Sequence, residues 1–492
     1  MRACGKYFLL LIASLLPAWA GSASAEEYAP SPIRYLAFQI FTGGLDSNEM
    51  RLNFPPLPED LRKTVGDLQD RIGLNGSASR KLGFVVGPLS FDHTDDQVRV
   101  MIAAAFDVAL ETGVAVGFHL DDSMFWGRLK ELNTVDSVEW LDWNRTSNTG
   151  RRLEWSPTPA KIMPQLCVNS RAVKAAVSKR AALIGAEVAR GIAKLTAAGR
   201  SELFLGVIAG WETQIGRDFD TGGYPGYCAL TNAGFSAANP PADMDAALCR
   251  IVREFAGFWA RSLVESGVPK GKVYSHIAFQ SATAYTMARR VNPAAAAVSY
   301  LEVIHWTPPE TAFCDFCVPG LTTYPQPGHL EQWREELKKH GDPAWASCEG
   351  TAVDPAEAGR TSGAVDMEGY LGNLFNHGAI LVNVFGWGVG NSANPFRRVA
   401  ESQNALAAYR KFLRGEELRE APLPILQIPP ADLPDKIHKI QAALPGWISA
   451  HGAARVKPLM EKLDAALKDH RFDDAAKEAD AILKLLSDGS PL

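Results

Sequence analysis

The sequence predicts a (β/α)₈ barrel, the TIM-barrel architecture, with a small helical appendage at its C-terminal end. Eight apolar, strand-like runs alternate with amphipathic, helix-like runs between about residues 33 and 415. Most of these strand-like runs are apolar at successive positions, which is typical of parallel strands buried on both faces. A chain of 492 residues accommodates such a barrel plus an extra segment. A doubly wound open sheet is the alternative, but no glycine-rich phosphate-binding turn follows the first run.

The strand predictions rest on short runs rich in β-branched and aromatic residues, bounded by glycine, proline and polar residues. In chain order these runs are IRYLAFQIF at 33–41, KLGFVVGPLSF at 81–91, VAVGFHL at 114–120, LFLGVIAGWETQIG at 203–216, KVYSHIAF at 272–279, GLTTYP at 320–325, AWASCEGTAV at 344–353 and AILVNVFGWGVG at 379–390.

The helix predictions rest on apolar residues that recur every three or four positions. A helix is expected after every strand except the fifth, which a long irregular segment follows. The predicted helices cover residues 58–72, 95–113, 170–200, part of 241–267, 329–341, 367–378 and 396–415.

Three segments are too long to be plain connections, and they follow the third, fourth and fifth strands. Loops after strand ends build the active sites of such barrels, so we expect these inserts to surround a ligand cleft. The inserts cover residues 121–168, 213–240 and 280–318, and they contain Trp126, Trp140, Trp143, Trp155, Tyr224, Tyr227 and Trp306.

The N-terminal end has the pattern of a secretory signal peptide. Arg2 and Lys6 precede the apolar run FLLLIASLLPAWA, and small residues precede Glu26. We expect cleavage near Ala25, which leaves a periplasmic or secreted chain. Loss of two basic and no acidic residues changes the formal net charge from −5 to −7. No later run is long and apolar enough to span a bilayer.

Residues 26–420 are predicted to form the barrel domain, and residues 421–492 a proline-rich linker with a helical segment. Leucines at 459, 463 and 467 fall at helical spacing. Two or three helices are expected there, as a hairpin or bundle that packs on the barrel. A protein-docking role for these helices is the alternative.

Charge and cysteine content narrow the class of protein. The chain has no basic run, which argues against a nucleic acid partner. Six cysteines follow the signal segment, an even number that favours disulfides in an exported chain. The CDFC motif has no further ligands at zinc-site spacing, so we interpret Cys314 and Cys317 as a disulfide or loop staple. Cys348 is expected to be a buried free thiol.

The fourth predicted strand ends on a carboxylate. Glu212 shares strand parity with Gly206 and Ile208, which suit a crowded barrel interior. A buried carboxylate is costly without a partner or a use. A structural salt bridge is the simpler interpretation of one such residue.

The seventh predicted strand ends in the same way. Glu349 shares parity with Trp345 and Ser347, so alternation predicts that it also points to the barrel axis. Two inward glutamates at the C-terminal mouth favour catalysis over a salt bridge.

This arrangement resembles the clan A glycoside hydrolases. In that clan an acid/base glutamate follows strand four and a nucleophile glutamate follows strand seven, which the resemblance assigns to Glu212 and Glu349. It covers about residues 33–415. It further implies that Tyr324 lies beside the nucleophile and that Trp387 lines the sugar site. The clan usually has asparagine before the acid/base, where this chain has Trp211.

Glycosidic cleavage needs one carboxylic acid and one carboxylate, so the two environments must differ. Trp211 is expected to provide a drier setting for Glu212, and Tyr324 to donate to Glu349 and keep it ionised. Carboxyls about 5–5.5 Å apart indicate retention of configuration, and about 6.5–9.5 Å inversion.

Further polar candidates surround the third and fifth strand ends. His119 ends the third strand and is a substrate-binding candidate. Asp121 and Asp122 follow it, and this carboxylate pair is expected either to bind sugar hydroxyls or to cap the next segment. His276 and the insert residue Trp306 are additional substrate-binding candidates. No His-x-His or His-Glu-x-x-His pattern occurs, so we expect neither a metal nor another cofactor.

These observations predict an exported glycoside hydrolase that acts with retention on a β-linked oligo- or polysaccharide. A carbohydrate-binding barrel without turnover is the main alternative. A metal-dependent barrel hydrolase is the third.

Overall fold

The computed structural model describes residues 33–41, 58–121, 125–146, 164–216, 223–291, 298–353, 365–390, 392–423, 430, 432–468 and 471–487. The predicted signal segment and Asp122 lie outside these residues, as do Trp155 and part of the proline-rich linker. Among the described residues, no helix is long and apolar enough to cross a membrane.

Eight parallel strands form the centre of the molecule, which confirms the predicted (β/α)₈ barrel. The strands are β1 (Arg34–Phe41), β2 (Arg80–Leu89), β3 (Ala115–Leu120), β4 (Phe204–Ala209), β5 (Val273–Ser275), β6 (Gly320–Thr322), β7 (Trp345–Gly350) and β8 (Ala379–Val384). Hydrogen bonding joins them in the order β5-β4-β3-β2-β1-β8-β7-β6.

The barrel closes between β5 and β6. Parallel bridges join Tyr274 to Val318 and Ile277 to Leu321. The Ser275 N–H donates to the Val318 carbonyl at 3.0 Å, and the Thr322 N–H donates to the Ile277 carbonyl at 2.9 Å. The C-terminal ends of all eight strands therefore meet at one mouth.

Helices surround the strands. They are α1 (Pro58–Ile72), α2 (Asp95–Thr112), α3 (Arg171–Ala197), α4 (Tyr227–Asn232), α5 (Met244–Glu265), α6 (Ala282–Val291), α7 (Tyr300–Val303), α8 (His329–Lys339), α9 (Met367–Phe375), α10 (Pro395–Ala400) and α11 (Gln403–Leu413). As predicted, long connections follow β3, β4 and β5, and α4 lies within the second of them. The expectation that no helix follows the fifth strand is wrong, because α6 and α7 lie between β5 and β6.

Close packing inside the barrel explains two of its glycines. A Cβ atom on Gly117 would lie 2.2 Å from Leu205 Cδ1, and one on Gly83 would lie 2.7 Å from Leu205 Cδ2. Leu205 thus fits in the interior only because Gly83 of β2 and Gly117 of β3 have no side chains.

The C-terminal helices form a second hydrophobic cluster. They are α12 (Leu433–His451), α13 (Lys457–Lys468) and α14 (Phe472–Ser487), so three helices occur where two or three were expected. Ile440, Leu463 and Ile482 are buried among them, and Met287 of α6 packs against the cluster. The cluster therefore contacts the fifth connection of the barrel.

The cysteines are placed largely as expected. Cys314 and Cys317 are joined by a disulfide, and Cys348 is a buried free thiol. Cys167 and Cys228 are also buried and free.

Candidate functional site

The two glutamates lie at the mouth of the barrel, on the C-terminal ends of β4 and β7. Glu212 follows β4 by three residues, and Glu349 is the fifth residue of β7. Glu212 adopts a positive φ of 52°, a conformation that non-glycine residues seldom take and that occurs often at functional sites.

The register of β4 explains how Glu212 reaches the mouth. Ile208 pairs with His119 of β3 and with Tyr274 of β5, both of which point into the barrel. Gly206 pairs with Gly117 on the same face. The predicted parity of Gly206 and Ile208 therefore agrees with the ladder, which ends at Ala209, before Glu212.

The predicted parity of β7 is wrong, although Glu349 does face the mouth. Trp345 packs against Trp333 of α8, and the Ser347 hydroxyl approaches Tyr370 of α9, so both side chains point to the helices. The register shifts between Ser347 and Gly350, and this irregularity turns Glu349 inward. Such bulges commonly re-aim a side chain beside an active site.

Thr322 connects the two glutamates. It pairs with Glu349 in the β6–β7 ladder, and its Oγ1 atom lies 2.6 Å from Oε1 of Glu212. One residue of β6 thus contacts one carboxyl directly and neighbours the other along the sheet.

The environment of Glu349 disfavours a second negative charge on the carboxyl pair. Its side chain is only 7% exposed, and within the described residues Oε2 has no hydrogen-bond partner. Burial and the charge of Glu212 raise the pKa of Glu349 to about 8, although the Tyr324 hydroxyl donates to Oε1 at 3.0 Å. The predicted hydrogen bond is therefore present, but it does not outweigh burial and like-charge repulsion. The carboxyl pair holds a proton at neutral pH.

His119 and His276 lie beneath the glutamates and not in the cleft. They are 0% and 1% exposed, and His119 Nε2 lies 2.9 Å from His276 Nδ1. Burial lowers the pKa of His276 to about 3, and burial and the neighbouring His276 hold that of His119 well below its usual value. Both rings are therefore neutral, and they lie beneath the glutamates as structural residues.

The other polar candidates also have structural contacts. Oδ2 of the buried Asp121 accepts from the Phe125 N–H at 2.6 Å, which is the capping role considered for it. Trp306 is 3% exposed, and its Nε1 donates to Asp245 of α5 at 2.8 Å.

Aromatic rings line one side of the mouth. Trp211 stacks on His119 with ring centres 4.9 Å apart and lies 6.2 Å from Phe41. Phe385 lies 5.4 Å from Phe41 and 6.2 Å from Tyr324. We call Phe41, Trp211, Tyr324 and Phe385 the aromatic wall.

Trp387 does not belong to this wall, contrary to the prediction. It is 4% exposed, packs edge-on against Phe38 at 5.2 Å and lies under Arg71 of α1. Phe38 faces the helices, where it contacts Tyr409 of α11. Phe385, two residues earlier, is partly exposed and lines the mouth.

Sequence reasoning missed Thr322, Gln39 and Phe385. Thr322 immediately precedes the TYP segment, and its position at a strand end could have indicated a place in the site. Gln39 is a lone amide in an apolar strand and is 1% exposed. Because buried polar side chains are hydrogen-bonded, this position could have indicated a role for Gln39.

The site is suited to acid–base and nucleophilic chemistry between two carboxyls. Within the described ranges, no three His, Cys, Asp or Glu side chains are grouped so that they could hold a metal ion. The carboxyls differ in their surroundings, since Tyr324 donates to one and Thr322 contacts the other.

No protein-family model and no curated protein matches this chain. Solved structures that resemble it include a glycoside hydrolase family 5 enzyme from Prevotella bryantii B14, with a TM-score of 0.37, 10% identity, and coverage of 78% of this chain and 97% of that chain. A family 42 β-galactosidase from G. stearothermophilus has a TM-score of 0.41, 11% identity, and coverage of 80% and 58%. A β-glucosidase from Pyrococcus furiosus has a TM-score of 0.38, 10% identity, and coverage of 79% and 96%. Likenesses of this size add no argument about function, which rests on the site itself.

Proposed function

We propose that this protein is a glycoside hydrolase that cleaves β-linked oligo- or polysaccharides with retention of configuration. The observation that carries the proposal is the pair of glutamates at the barrel mouth, which interact electrostatically and have different partners. Two carboxyls that share a proton supply the acid and the carboxylate that glycosidic cleavage requires.

In this proposal Glu212 is the acid/base and Glu349 the nucleophile. Glu212 gives its proton to the glycosidic oxygen while Glu349 attacks the anomeric carbon, and a glycosyl ester forms on Glu349. Glu212 then takes a proton from water, and the water oxygen displaces Glu349. The Tyr324 hydroxyl, at 3.0 Å from Glu349 Oε1, stabilises the carboxylate when it leaves the sugar.

The aromatic wall supports a carbohydrate substrate. Sugar rings have apolar C–H faces that pack on aromatic rings, and Phe41, Tyr324 and Phe385 are partly exposed beside the glutamates. We place the innermost sugar against these rings.

The proposal is tested with a panel of aryl β-glycosides and a deoxyfluoro glycoside. We expect hydrolysis whose first product, by proton NMR, is the β-anomer, and a covalent fluorosugar on the peptide that contains Glu349. Glu212→Ala should lose at least a hundredfold in kcat on phenyl glycosides and form a β-glycosyl azide when azide is added.

Specific results would refute parts of this proposal. An α-anomer as first product would replace retention by inversion through activated water. A label on a residue other than Glu349 would reassign the nucleophile. Glu187→Gln, which alters a buried glutamate outside the site, should keep full activity and serves as the control.

The alternatives make different predictions. A binding protein without turnover would retain glycan affinity in Glu349→Gln and hydrolyse none of the panel. A metal-dependent hydrolase would lose activity on addition of a chelator.

We further propose export, because the first 25 residues have the signal-peptide pattern. N-terminal sequencing of the mature protein should begin at Glu26, and a chain that retains Met1 or Arg2 would contradict export by this route.

A further inference from the structure

A continuous chain of buried hydrogen bonds runs from Glu212 to the opposite wall of the barrel. Glu212 Oε1 lies 2.6 Å from Thr322 Oγ1, which lies 2.9 Å from His276 Nε2. His276 Nδ1 lies 2.9 Å from His119 Nε2, and His119 Nδ1 lies 3.0 Å from Gln39 Oε1. The direction in which hydrogens point along this chain decides where a proton resides.

The end of the chain at Gln39 has a fixed direction. Gln39 Nε2 donates to the Gly87 carbonyl at 3.2 Å, and Asn383 Nδ2 donates to the Cys348 carbonyl at 2.8 Å. Carbonyl oxygens only accept, so both amide groups must present nitrogen to them. Asn383 Nδ2 also donates to Gln39 Oε1 at 2.8 Å. Gln39 therefore presents an acceptor oxygen to His119.

The acceptor oxygen of Gln39 determines which nitrogen of each histidine carries a hydrogen. His119 must carry its hydrogen on Nδ1 to donate to Gln39, and as a neutral ring it then accepts at Nε2 from His276 Nδ1–H. The Gly210 carbonyl, 3.3 Å from His276 Nδ1, is a further acceptor for that hydrogen and also contacts His119. The Glu212 N–H, 3.3 Å from the same nitrogen, favours the opposite tautomer. The contact with His119 is shorter, at 2.9 Å, and on this ground we place the hydrogen on His276 Nδ1.

The direction reaches Glu212 through Thr322. His276 Nε2 is left as an acceptor, so the single hydroxyl hydrogen of Thr322 points to it. The 2.6 Å contact between Thr322 Oγ1 and Glu212 Oε1 then needs a hydrogen from Glu212. We infer that this chain holds a proton on Glu212, and that Thr322, His276 and His119 are positioning residues for the general acid. The catalytic meaning of the inference rests on the function proposed above.

The chain decides which member of the carboxyl pair is protonated. The titratable groups that face Glu212 among the described residues are Glu349, Tyr324 and His276. The proton shared by the two glutamates belongs to the pair until a contact distinguishes them. Thr322 accepts from a protonated Glu212, whereas Tyr324 donates to an ionised Glu349. Both contacts assign the proton to Glu212.

The same arrangement favours the return of the proton during turnover. When the O–H bond of Glu212 breaks and the hydrogen joins the leaving oxygen, Thr322 has one hydrogen for two acceptors, Glu212 and His276. Transfer of a proton from the attacking water to Glu212 restores the hydrogen bond that Thr322 accepts and leaves the Thr322 hydrogen for His276.

The tautomers are measured directly by NMR of the protein labelled with ¹⁵N-histidine. We expect His119 and His276, assigned with His119→Gln and His276→Gln, to carry hydrogen on Nδ1 and none on Nε2 at neutral pH. A hydrogen on Nε2 of His276 would overturn the inference. This result needs no substrate, so it remains decisive even if the protein hydrolyses no glycoside.

The kinetic test uses Thr322→Val, which removes the hydroxyl at nearly constant volume. Its kcat/KM should fall about tenfold on phenyl glycosides, which need the acid, and little on dinitrophenyl glycosides, which do not. The alkaline limb of its pH profile should move down by about one pH unit, the effect of one hydrogen bond to a carboxyl. Thr322→Ser should restore both values.

Thr307→Val is the matched control, because Thr307 is equally buried and donates only to backbone carbonyls. It should leave the alkaline limb unchanged. An equal loss on both substrates in Thr322→Val, or an unmoved alkaline limb, would reduce Thr322 to a structural role. In that case the proposed glycoside hydrolase activity would be retained, but the inference about the hydrogen-bond chain would be refuted.

Discussion

Replacement of Glu349 by glutamine should change the pH dependence of stability. In the folded protein this carboxyl is 7% exposed, and burial and Glu212 raise its pKa to about 8. In the unfolded chain a glutamate titrates near its ordinary value of 4.5. Between these values the folded carboxyl pair binds a proton that the unfolded state releases. The stability that this proton contributes is complete below about pH 4.5 and is lost as the pH rises towards 8.

The magnitude follows from the difference of about 3.5 pH units between those two values. At about 1.36 kcal/mol per pH unit, and with the titration only half complete at each end, the free energy of unfolding falls by on the order of 4 kcal/mol between pH 4.5 and pH 8. Glutamine removes this loss. Its amide also leaves a buried polar group near the unpartnered Oε2 position, at a cost of about 1–3 kcal/mol. Glu349→Gln should therefore be less stable than the wild type at pH 5 and more stable at pH 8.

The assay is urea unfolding of both proteins at pH 5 and pH 8. Glu187→Gln is the matched control, because Glu187 is 8% exposed but paired with Arg190 and Arg99. This control should lose about 1 kcal/mol at both pH values. Stability curves of wild type and Glu349→Gln that run parallel between pH 5 and pH 8 would show that the carboxyl pair does not bind this proton.

Three further changes test other parts of the site and the fold. Tyr324→Phe removes the donor to Glu349, so kcat/KM on aryl glycosides should fall about tenfold and the acidic limb of its pH profile should move to higher pH. Gly117→Ala places a methyl 2.2 Å from Leu205 Cδ1 and should lower the free energy of unfolding by about 1–3 kcal/mol in urea. Phe385→Ala removes an aromatic face from the mouth and should raise the Kd for oligosaccharides about fivefold, measured by calorimetry, with little change in stability.

Two of these changes have a control in the same chain. Gly66 lies in α1 with no atom within 4 Å of a Cβ, so Gly66→Ala should be neutral or stabilise by about 1 kcal/mol. Trp387→Ala should reduce stability by about 3–5 kcal/mol because its ring is buried against Phe38. Affinity is compared at temperatures where both variants are folded. If Trp387→Ala weakens oligosaccharide binding more than Phe385→Ala does, Trp387 and not Phe385 lines the sugar site. If the acidic limb of the pH profile does not move in Tyr324→Phe, the Tyr324 hydroxyl does not influence the ionisation of Glu349.

Much of the fold followed from local patterns. Strands buried on both faces and amphipathic helices have different hydrophobic periods, and a period is visible within ten to fifteen residues. The positions of Glu212 and Glu349 at strand ends were visible for the same reason, because each closes an apolar run. Tyr324 was placed beside Glu349 through a family resemblance, and the structure joins their side chains by a hydrogen bond.

The orientation of residues near irregularities was not visible. Alternation along β7 predicted that Trp345, Ser347 and Glu349 share a face, but the register shift sends only Glu349 to the mouth. A bulge depends on how neighbouring strands pair, so no period within one strand reveals it. Similarly, Phe385 and Trp387 both follow β8, and only packing against Phe38 shows which ring is covered.

By itself, the sequence determined the alternation of eight strands with helices, the long inserts after three of them, and two carboxylates at strand ends. The tertiary structure alone decided how the carboxylates are supported. Gln39 and Asn383 come together although they are 344 residues apart in sequence, and the hydrogen-bond chain from Gln39 to Glu212 joins residues from five strands or strand ends. Hydrophobic periodicity is a local property, whereas the direction of a hydrogen-bond chain depends on contacts that exist only after the barrel has closed.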